Sequence, residues 1–181
     1  MRKAHRAVHG TMRTGQSEMQ IYLLRHGIAE DAQPRQSDSE RALTGEGREK
    51  LRRVLKRARA AEVVPDVIIS SPYRRAVETA EEAAEVLGYK QKIVLAQALV
   101  PDAAPPGVWD EIRAHKHESS VLLAGHEPLL SSTVSYLLGS PALMLDMKKA
   151  ALVRVDCESF NREPRGVLKW MLTPALAAGS V

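Results

Sequence analysis

The sequence predicts one α/β domain in three layers, with helices on both faces of a mostly parallel sheet that has an antiparallel edge. Short, continuous apolar runs alternate along the chain with segments of helical apolar period, as buried strands and crossover helices do. The last quarter of the chain instead holds two runs of alternating apolar and polar residues, which is typical of an antiparallel pair.

The first predicted strand covers residues 21–24 and ends in Arg25-His26-Gly27. A polar stretch, 30–40, follows it. Thr44 is then suited to cap a helix with one apolar face, formed by Leu51, Val54, Leu55 and Ala58. We expect this helix to cover one face of the sheet.

A second strand is predicted at residues 67–69, followed by the turn residues Ser70-Ser71-Pro72. In this turn Pro72 is suited to be the first helical residue. The helix should run from about residue 73 to 87, and Gly88 should end it.

The third and fourth strands are predicted at residues 93–95 and 121–123. Between them we expect a proline-rich loop, 101–107, and a short helix that buries Trp109 and Ile112. The fourth strand leads into Gly125-His126-Glu127-Pro128 and a helix that ends near residue 139. The alternating runs, 151–155 and 167–172, should form the antiparallel pair at one edge.

Composition narrows the class of protein. The chain has 181 residues, enough for one core without disulfides, and is 44% hydrophobic and 27% charged, as soluble globular proteins are. Residues 1–18 hold four of the basic residues against one acidic residue, which leaves the rest nearly neutral. We therefore predict a basic tail or leader at 1–18 and a single domain at 19–181.

Several partners and locations are not favoured. Aromatic residues make up only 4% of the chain and no folded basic face is indicated, which argues against a nucleic-acid binder. No apolar run is long enough to span a bilayer, so no membrane association is expected. The single cysteine, Cys157, cannot form an internal disulfide and is suited to a packing role. The basic start of the chain lacks the apolar stretch of a secretory signal. For these two reasons we expect a cytoplasmic protein.

Three polar corners follow strands of the predicted sheet: Arg25-His26, residues 70–75, and Gly125-His126. Because ligands of parallel sheets collect beyond the carboxyl ends of the strands, these corners are expected to line one pocket. Guanidinium groups bind phosphoryl oxygens in pairs, and neutral imidazole is nucleophilic near pH 7. The pattern predicts phosphoryl transfer by His26 or His126, with no metal and no cofactor required.

Four segments resemble the signatures of the histidine phosphatases, the phosphoglycerate mutase superfamily. Leu24-Arg25-His26-Gly27 resembles the first signature, residues 41–47 the Arg-x-Leu-Thr segment, residues 70–80 the second signature, and residues 125–128 the second histidine motif. The short length and the ending at 169–174 resemble the SixA-type phosphohistidine phosphatases. The resemblance spans residue 19 to about 174 and implies a phosphoglycerate mutase-like fold.

The resemblance also assigns roles. It implies that His26 is the nucleophile and that Arg25, Arg75 and His126 complete the phosphate pocket, with no metal ligand. Arg41 is implied as a further substrate contact.

Two departures from the family pattern concern carboxylates. Glu78 stands where the second signature usually has Gln; it either orients a pocket residue or, as we expect, faces solvent on an acidic helix. The insertion that carries the general acid in many relatives is reduced here to residues 99–107. Asp102 within it, and Glu127 beside His126, are the candidate general acids.

These features favour a phosphatase that forms a phosphohistidine enzyme intermediate and acts on phosphohistidine of a partner protein. Phosphorylated imidazole leaves without a strong proton donor, and a short insertion predicts a shallow, unlidded site that a protein can reach. One alternative is a phosphomonoesterase for a small molecule such as a sugar or nucleotide phosphate. Another is a non-catalytic phospho-binding module, although the presence of both histidines favours catalysis.

Overall fold

The computed structural model describes residues 18–179. Their centre is one six-stranded sheet in the order β3-β2-β4-β1-β5-β6. Strands β1 to β4 run parallel to one another, whereas β5 runs antiparallel to both β1 and β6. The strands are β1 Met19–Arg25, β2 Val67–Ser70, β3 Val94–Leu95, β4 Ser120–Gly125, β5 Leu152–Cys157 and β6 Gly166–Leu172. The predicted mostly parallel sheet with an antiparallel edge is confirmed.

Residues 18–179 also form five α-helices and two 3-10 turns, which lie between the strands except for the last helix, which follows β6. The helices are α1 Gly45–Ala60, α2 Arg74–Leu87, α3 Pro105–Ala114, α4 Leu129–Leu137 and α5 Pro174–Ala178, and the 3-10 turns are Asp38–Glu40 and Gln97–Leu99. The Thr44 hydroxyl accepts a hydrogen bond from the Gly47 amide, so the predicted cap of α1 is confirmed. Gly88 ends α2 with a φ of 80°, a left-handed conformation that glycine adopts without strain.

Two apolar cores lie on opposite faces of the sheet. Successive residues of β1 point to opposite faces, so Ile21 and Leu23 join one core while Tyr22 and Leu24 join the other. Trp109 of α3 belongs to the first core, and Trp170 of β6 packs against the second. A strand buried on both faces accounts for the continuous apolar run in the sequence.

Sheet topology brings the three polar corners together. β1 lies between β4 and β5, and Arg25 is paired in register with Gly125 of β4. On the other side of β4, Ser70 of β2 is paired with Ala124. The segments after β1, β2 and β4 therefore leave the same edge of the sheet.

Some predicted boundaries were wrong. Pro72 is not the first helical residue, because Tyr73 caps α2 and the helix begins at Arg74. Helix α3 already begins at Pro105, inside the predicted loop, since proline tolerates the first turn of a helix. The short helix α5 was not predicted.

The predicted basic tail, 1–18, lies outside the described residues except for Glu18. Within residues 18–179, no helix combines the length and the apolar content needed to cross a bilayer.

Candidate active site

His26 directly follows β1 and is held by its main chain on two sides. Its amide donates to the Gly125 carbonyl at 3.0 Å, and its carbonyl accepts from the Ala150 amide at 3.1 Å. The residue is 8% exposed, so the imidazole is nearly buried but still open to the edge of the sheet.

Two contacts define the tautomer of His26. Its Nδ1 lies 2.7 Å from the Gly27 carbonyl, which can only accept, so Nδ1 carries the proton. Its Nε2 lies 3.3 Å from Arg75 Nε, which can only donate. The two contacts agree and leave the lone pair of the imidazole on Nε2, facing a guanidinium group.

Charge and burial keep this imidazole neutral. Burial, followed by the positive charges of Arg75 and Arg25, lowers the pKa of His26 to about 4, although the Gly27 hydrogen bond acts in the opposite direction. A nucleophilic lone pair is therefore present at neutral pH.

The segment after His26 is fixed by close packing against α1. A Cβ atom on Gly47 would lie 2.2 Å from the Ile28 carbonyl oxygen, so the helix approaches this segment as closely as only glycine allows. The Gly27 amide also donates to the Thr79 hydroxyl at 3.2 Å. These contacts hold His26 between helices α1 and α2.

Arg75 lies in the first turn of α2 and is 5% exposed. Besides its contact with His26, its Nη1 donates to the Asp38 carbonyl at 2.6 Å and its Nη2 to the Asp38 carboxylate at 2.8 Å. The other oxygen of that carboxylate accepts from Arg41 at 2.8 Å. Asp38 thus links the two arginines, and these partners lower the pKa of its carboxyl, Arg41 first and then Arg75.

His126 lies beside His26, with 5.1 Å between the ring centroids. Its Nε2 is 2.8 Å from the hydroxyl of Ser71, a residue in the connection between β2 and α2. The residue is 1% exposed, and burial, followed by repulsion from His26 once that imidazole is protonated at low pH, lowers its pKa to about 3. Its Nδ1 is buried without a hydrogen-bond partner among the described residues.

Arg25 is half-buried, and burial lowers its pKa. Its Nη1 donates to the Met147 carbonyl, while its Nε is buried without a partner in the described part of the chain. Buried donors without partners are rare in folded proteins. Two such nitrogens lie near His26: Arg25 Nε belongs to the preceding residue, and His126 Nδ1 belongs to the neighbouring imidazole.

The structure brings together Arg25, His26, Arg75 and His126, the four residues that the resemblance assigns to the phosphate pocket. Arg41 reaches them through Asp38. Sequence reasoning missed Asp38, for which the one local signal was an acid three residues before Arg41 in a polar stretch.

The two candidate general acids have different surroundings. Asp102 is exposed in the loop before α3. Glu127 is half-buried, and its carboxylate accepts from the Ser131 amide at 3.0 Å in the first turn of α4. Its negative charge acts against the lowering of the Arg25 pKa by burial, so it lies near that guanidinium group.

The expectation that Glu78 faces solvent was wrong. Its side chain is 12% exposed, and its carboxylate accepts from the Leu43 amide at 2.7 Å. It also pairs with Arg48 at 2.9 Å and Arg74 at 3.0 Å. Glu78 therefore ties the segment that carries Arg41 to helix α2.

Cys157 is fully buried in the first core, and burial raises the pKa of its thiol to about 12. Its predicted packing role is confirmed. Across residues 18–179, no group of three or more His, Cys, Asp or Glu side chains is arranged to hold a metal ion.

Two histidines and one arginine at strand ends of an α/β sheet, with a second arginine in the first turn of α2, are the arrangement expected of a protein that transfers phosphoryl groups through imidazole. The family model of the histidine phosphatase superfamily (branch 1) matches residues 21–99. Phosphohistidine phosphatase SixA of Escherichia coli strain K12 is 29% identical over 86% of this chain and 94% of its own length. The chain belongs to the histidine phosphatase superfamily.

The chain is also similar to a second curated protein and to a solved structure. An uncharacterized protein of Picosynechococcus sp. is 30% identical over 75% of this chain and 83% of its own. The structure of protein histidine phosphatase SixA in complex with tungstate superimposes with a TM-score of 0.76 at 28% identity, covering 87% of this chain and 98% of that one. These relationships support a phosphatase activity.

Proposed function

We propose that this protein is a phosphatase that removes the phosphoryl group from phosphohistidine of a partner protein and carries it on His26. The observation that supports this most directly is the lone pair of His26 Nε2, which faces Arg75 while Nδ1–H is bound to the Gly27 carbonyl. A neutral imidazole so oriented is a nucleophile that needs no separate base.

In the first step His26 Nε2 attacks phosphorus, and the bond from phosphorus to the substrate imidazole breaks. The His26 ring then carries phosphorus on Nε2 and the proton on Nδ1, and is positively charged. The hydrogen bond from Nδ1 to the Gly27 carbonyl stabilises this charge. The substrate imidazole, if protonated on its other nitrogen, departs as a neutral ring and needs no proton from the enzyme.

The phosphoryl oxygens need donors while charge shifts among them. Arg75 supplies guanidinium hydrogens, and two buried nitrogens, Arg25 Nε and His126 Nδ1, gain partners when an anion binds. A dianion beside His126 raises the pKa of that imidazole and favours its protonated, donating form. The scheme uses no metal ion.

In the second step water attacks phosphorus and the bond to His26 Nε2 breaks. The ring keeps its Nδ1 proton and returns to the neutral starting form. Phosphate departs with both hydrogens of the water, until it loses a proton to solvent. Nδ1 thus keeps its proton through both steps, and the neutral tautomer of His26 is restored at the end of the second.

The choice of phosphohistidine as substrate rests on the leaving group and on a relative. One oxygen of the Glu127 carboxylate accepts from the Ser131 amide, and Asp102 is exposed, so neither carboxylate is held in place for proton delivery. SixA of E. coli, the 29% identical relative, is named a phosphohistidine phosphatase. The short connection between the second 3-10 turn and α3, 100–104, suits an open site that a protein can approach. A cytoplasmic location is part of the proposal, in keeping with the free, buried thiol of Cys157.

The test is to trap the phosphoenzyme and compare substrates. The wild type should become labelled by a ³²P-phosphohistidine peptide, with a bond stable to alkali and labile to acid. His26→Ala should take up no label and lose about a thousandfold or more in kcat/KM. Labelling of His26→Ala to the same extent would contradict the assigned nucleophile. A clear preference for sugar or nucleotide phosphates over the peptide would instead support the small-molecule alternative.

A further inference from the structure

A pocket with a volume of about 600 Å³ adjoins the candidate active site at Arg25. Half of its lining residues are cationic and the rest are uncharged, with no acid among them. The cationic residues are Arg25, Lys50, Arg53, Lys148 and Lys149, and the uncharged residues are Ile28, Thr173, Pro174, Ala175 and Ala178. We name these ten residues the basic pocket.

The basic pocket shares Arg25 with the active site. Arg25 directly precedes His26, and its charge contributes to the lowered pKa of that imidazole. The charge of Lys149 also lowers the pKa of His26, so this lysine lies within electrostatic reach of the nucleophile. A substrate whose phosphoryl group contacts His26 can therefore place a neighbouring group in the basic pocket.

The positive charge of the basic pocket is only weakly compensated. Lys50 pairs with Glu46 at 2.6 Å, Lys148 with Asp146 at 2.6 Å and Arg53 with Glu49 at 3.4 Å. All three carboxylates are more than half exposed, at 62%, 73% and 72%, and pairs in such positions contribute little and exchange easily. Lys149 takes part in no ion pair among residues 18–179. An incoming carboxylate would meet several available ammonium and guanidinium groups.

The uncharged residues of the basic pocket indicate what kind of anion the pocket can bind. Ile28, Pro174 and Ala175 offer aliphatic surface, which a bare inorganic ion cannot use. A glutamate or aspartate side chain of a peptide has both an aliphatic part and a carboxylate, and so matches both kinds of surface. Charge complementarity of this type adds specificity and speeds association.

We propose that the basic pocket binds acidic side chains that flank the phosphohistidine of the protein substrate. The proposal rests on the proposed function, since it presupposes a phosphorylated protein. It adds a specificity for the residues beside the phosphohistidine, which His26, Arg75 and His126 do not provide, because in the proposed mechanism these three contact only the group being transferred.

The test uses two synthetic phosphohistidine peptides that differ only in having three glutamates or three glutamines beside the phosphohistidine. For each protein the measured quantity is the ratio of kcat/KM for the glutamate peptide to that for the glutamine peptide. The wild type should favour the glutamate peptide about tenfold at low salt, and the ratio should fall toward one at high salt. Because each protein serves as its own reference, changes in the chemical step cancel.

The decisive variant is the double substitution Lys148→Glu and Lys149→Glu, which should abolish or reverse the preference. The matched control is Lys90→Glu with Lys92→Glu, two exposed lysines before β3 and so at the opposite edge of the sheet, with the same change in net charge. The control should keep the wild-type ratio. Equal turnover of both peptides by the wild type, or an equal loss of preference in the control, would overturn the inference about the basic pocket but leave the proposed function standing. Failure to hydrolyse either peptide while a small phosphate ester is hydrolysed would overturn the proposed protein substrate as well.

Discussion

The carboxylate of Asp38 binds Arg75 through one oxygen and Arg41 through the other, both at 2.8 Å. Together with the Asp38 carbonyl, this carboxylate accepts hydrogen bonds from both terminal nitrogens of the Arg75 guanidinium group. Phosphoryl oxygens seek the same donors, so in the proposed function an incoming phosphoryl group competes with this side chain. Asp38 is 53% exposed, which leaves it room to move aside.

Asp38→Asn should therefore strengthen binding of anions at the site. The amide keeps a hydrogen-bond acceptor but loses the charge that competes with phosphate. We expect the inhibition constant of inorganic phosphate, measured with p-nitrophenyl phosphate as substrate, to fall about fivefold, equivalent to about 1 kcal/mol. Asp31→Asn, an exposed acid in the same polar stretch, is the control. A higher inhibition constant in Asp38→Asn would mean that the carboxylate orients Arg75 instead of competing for it.

The lowered pKa of His26 predicts a pH dependence of stability. The imidazole has a pKa of about 4 in the folded protein and its usual value near 6.5 when unfolded, so the unfolded chain binds the proton more readily. The free energy of unfolding should therefore fall as the pH decreases from about 6.5 to about 4, by about 3 kcal/mol in total from this residue.

Two measurements check this dependence. NMR titration of the imidazole signals should give an apparent pKa for His26 near 4, and urea denaturation of His26→Asn should show a shallower loss of stability over the same pH range than the wild type. His126 contributes in the same direction, so some loss remains in the variant. Titration of His26 near pH 6.5 would refute the prediction.

Glu78 should matter through its hydrogen bond to the Leu43 amide. Glu78→Ala leaves that buried donor unpaired, which should cost about 1–3 kcal/mol of stability and lower kcat/KM by loosening the segment of Arg41. Glu78→Gln keeps an oxygen for the amide and should retain most of the activity. Glu81→Ala, an exposed acid on the same helix, is the control. Equal activity of the two Glu78 variants would show that the Leu43 contact is dispensable.

Gly47→Ala should disturb the segment that follows His26. The new methyl group would lie 2.2 Å from the Ile28 carbonyl, so backbone must move, at a cost of about 1–3 kcal/mol. We expect a lower melting temperature and a lower kcat. Gly45→Ala is the matched control, because its methyl group would have no atom within 4 Å. If both variants behave like the wild type, the packing of α1 does not position the nucleophile.

The strands and the proximity of His26 to His126 could be predicted because both follow from short segments of the sequence. Each buried strand is an apolar run, and parallel strands place the residues that follow them at one edge. Asp38 could not be found in this way. It lies in a polar stretch without a period, and its importance depends on Arg75, which a different element supplies.

Glu78 illustrates a second limit. On the sequence it is one acid of several on a helix, and nothing distinguishes an exposed carboxylate from one that accepts the Leu43 amide of another segment. The basic pocket is similar, since its lysines and arginines come from α1, β1 and the connection before β5. Such groupings follow from tertiary packing and have no short-range pattern.

The separation of the two cores gives the protein a pair of internal optical probes. Its two tryptophans, Trp109 and Trp170, lie on opposite faces of the sheet. Replacing either one with phenylalanine leaves a single emitter that reports on one layer, since Trp109 stacks on Phe160 and Trp170 lies beside Tyr22. Fluorescence of the two single-tryptophan proteins can thus follow the melting of each layer by itself, and coincident curves would be the mark of layers that open together.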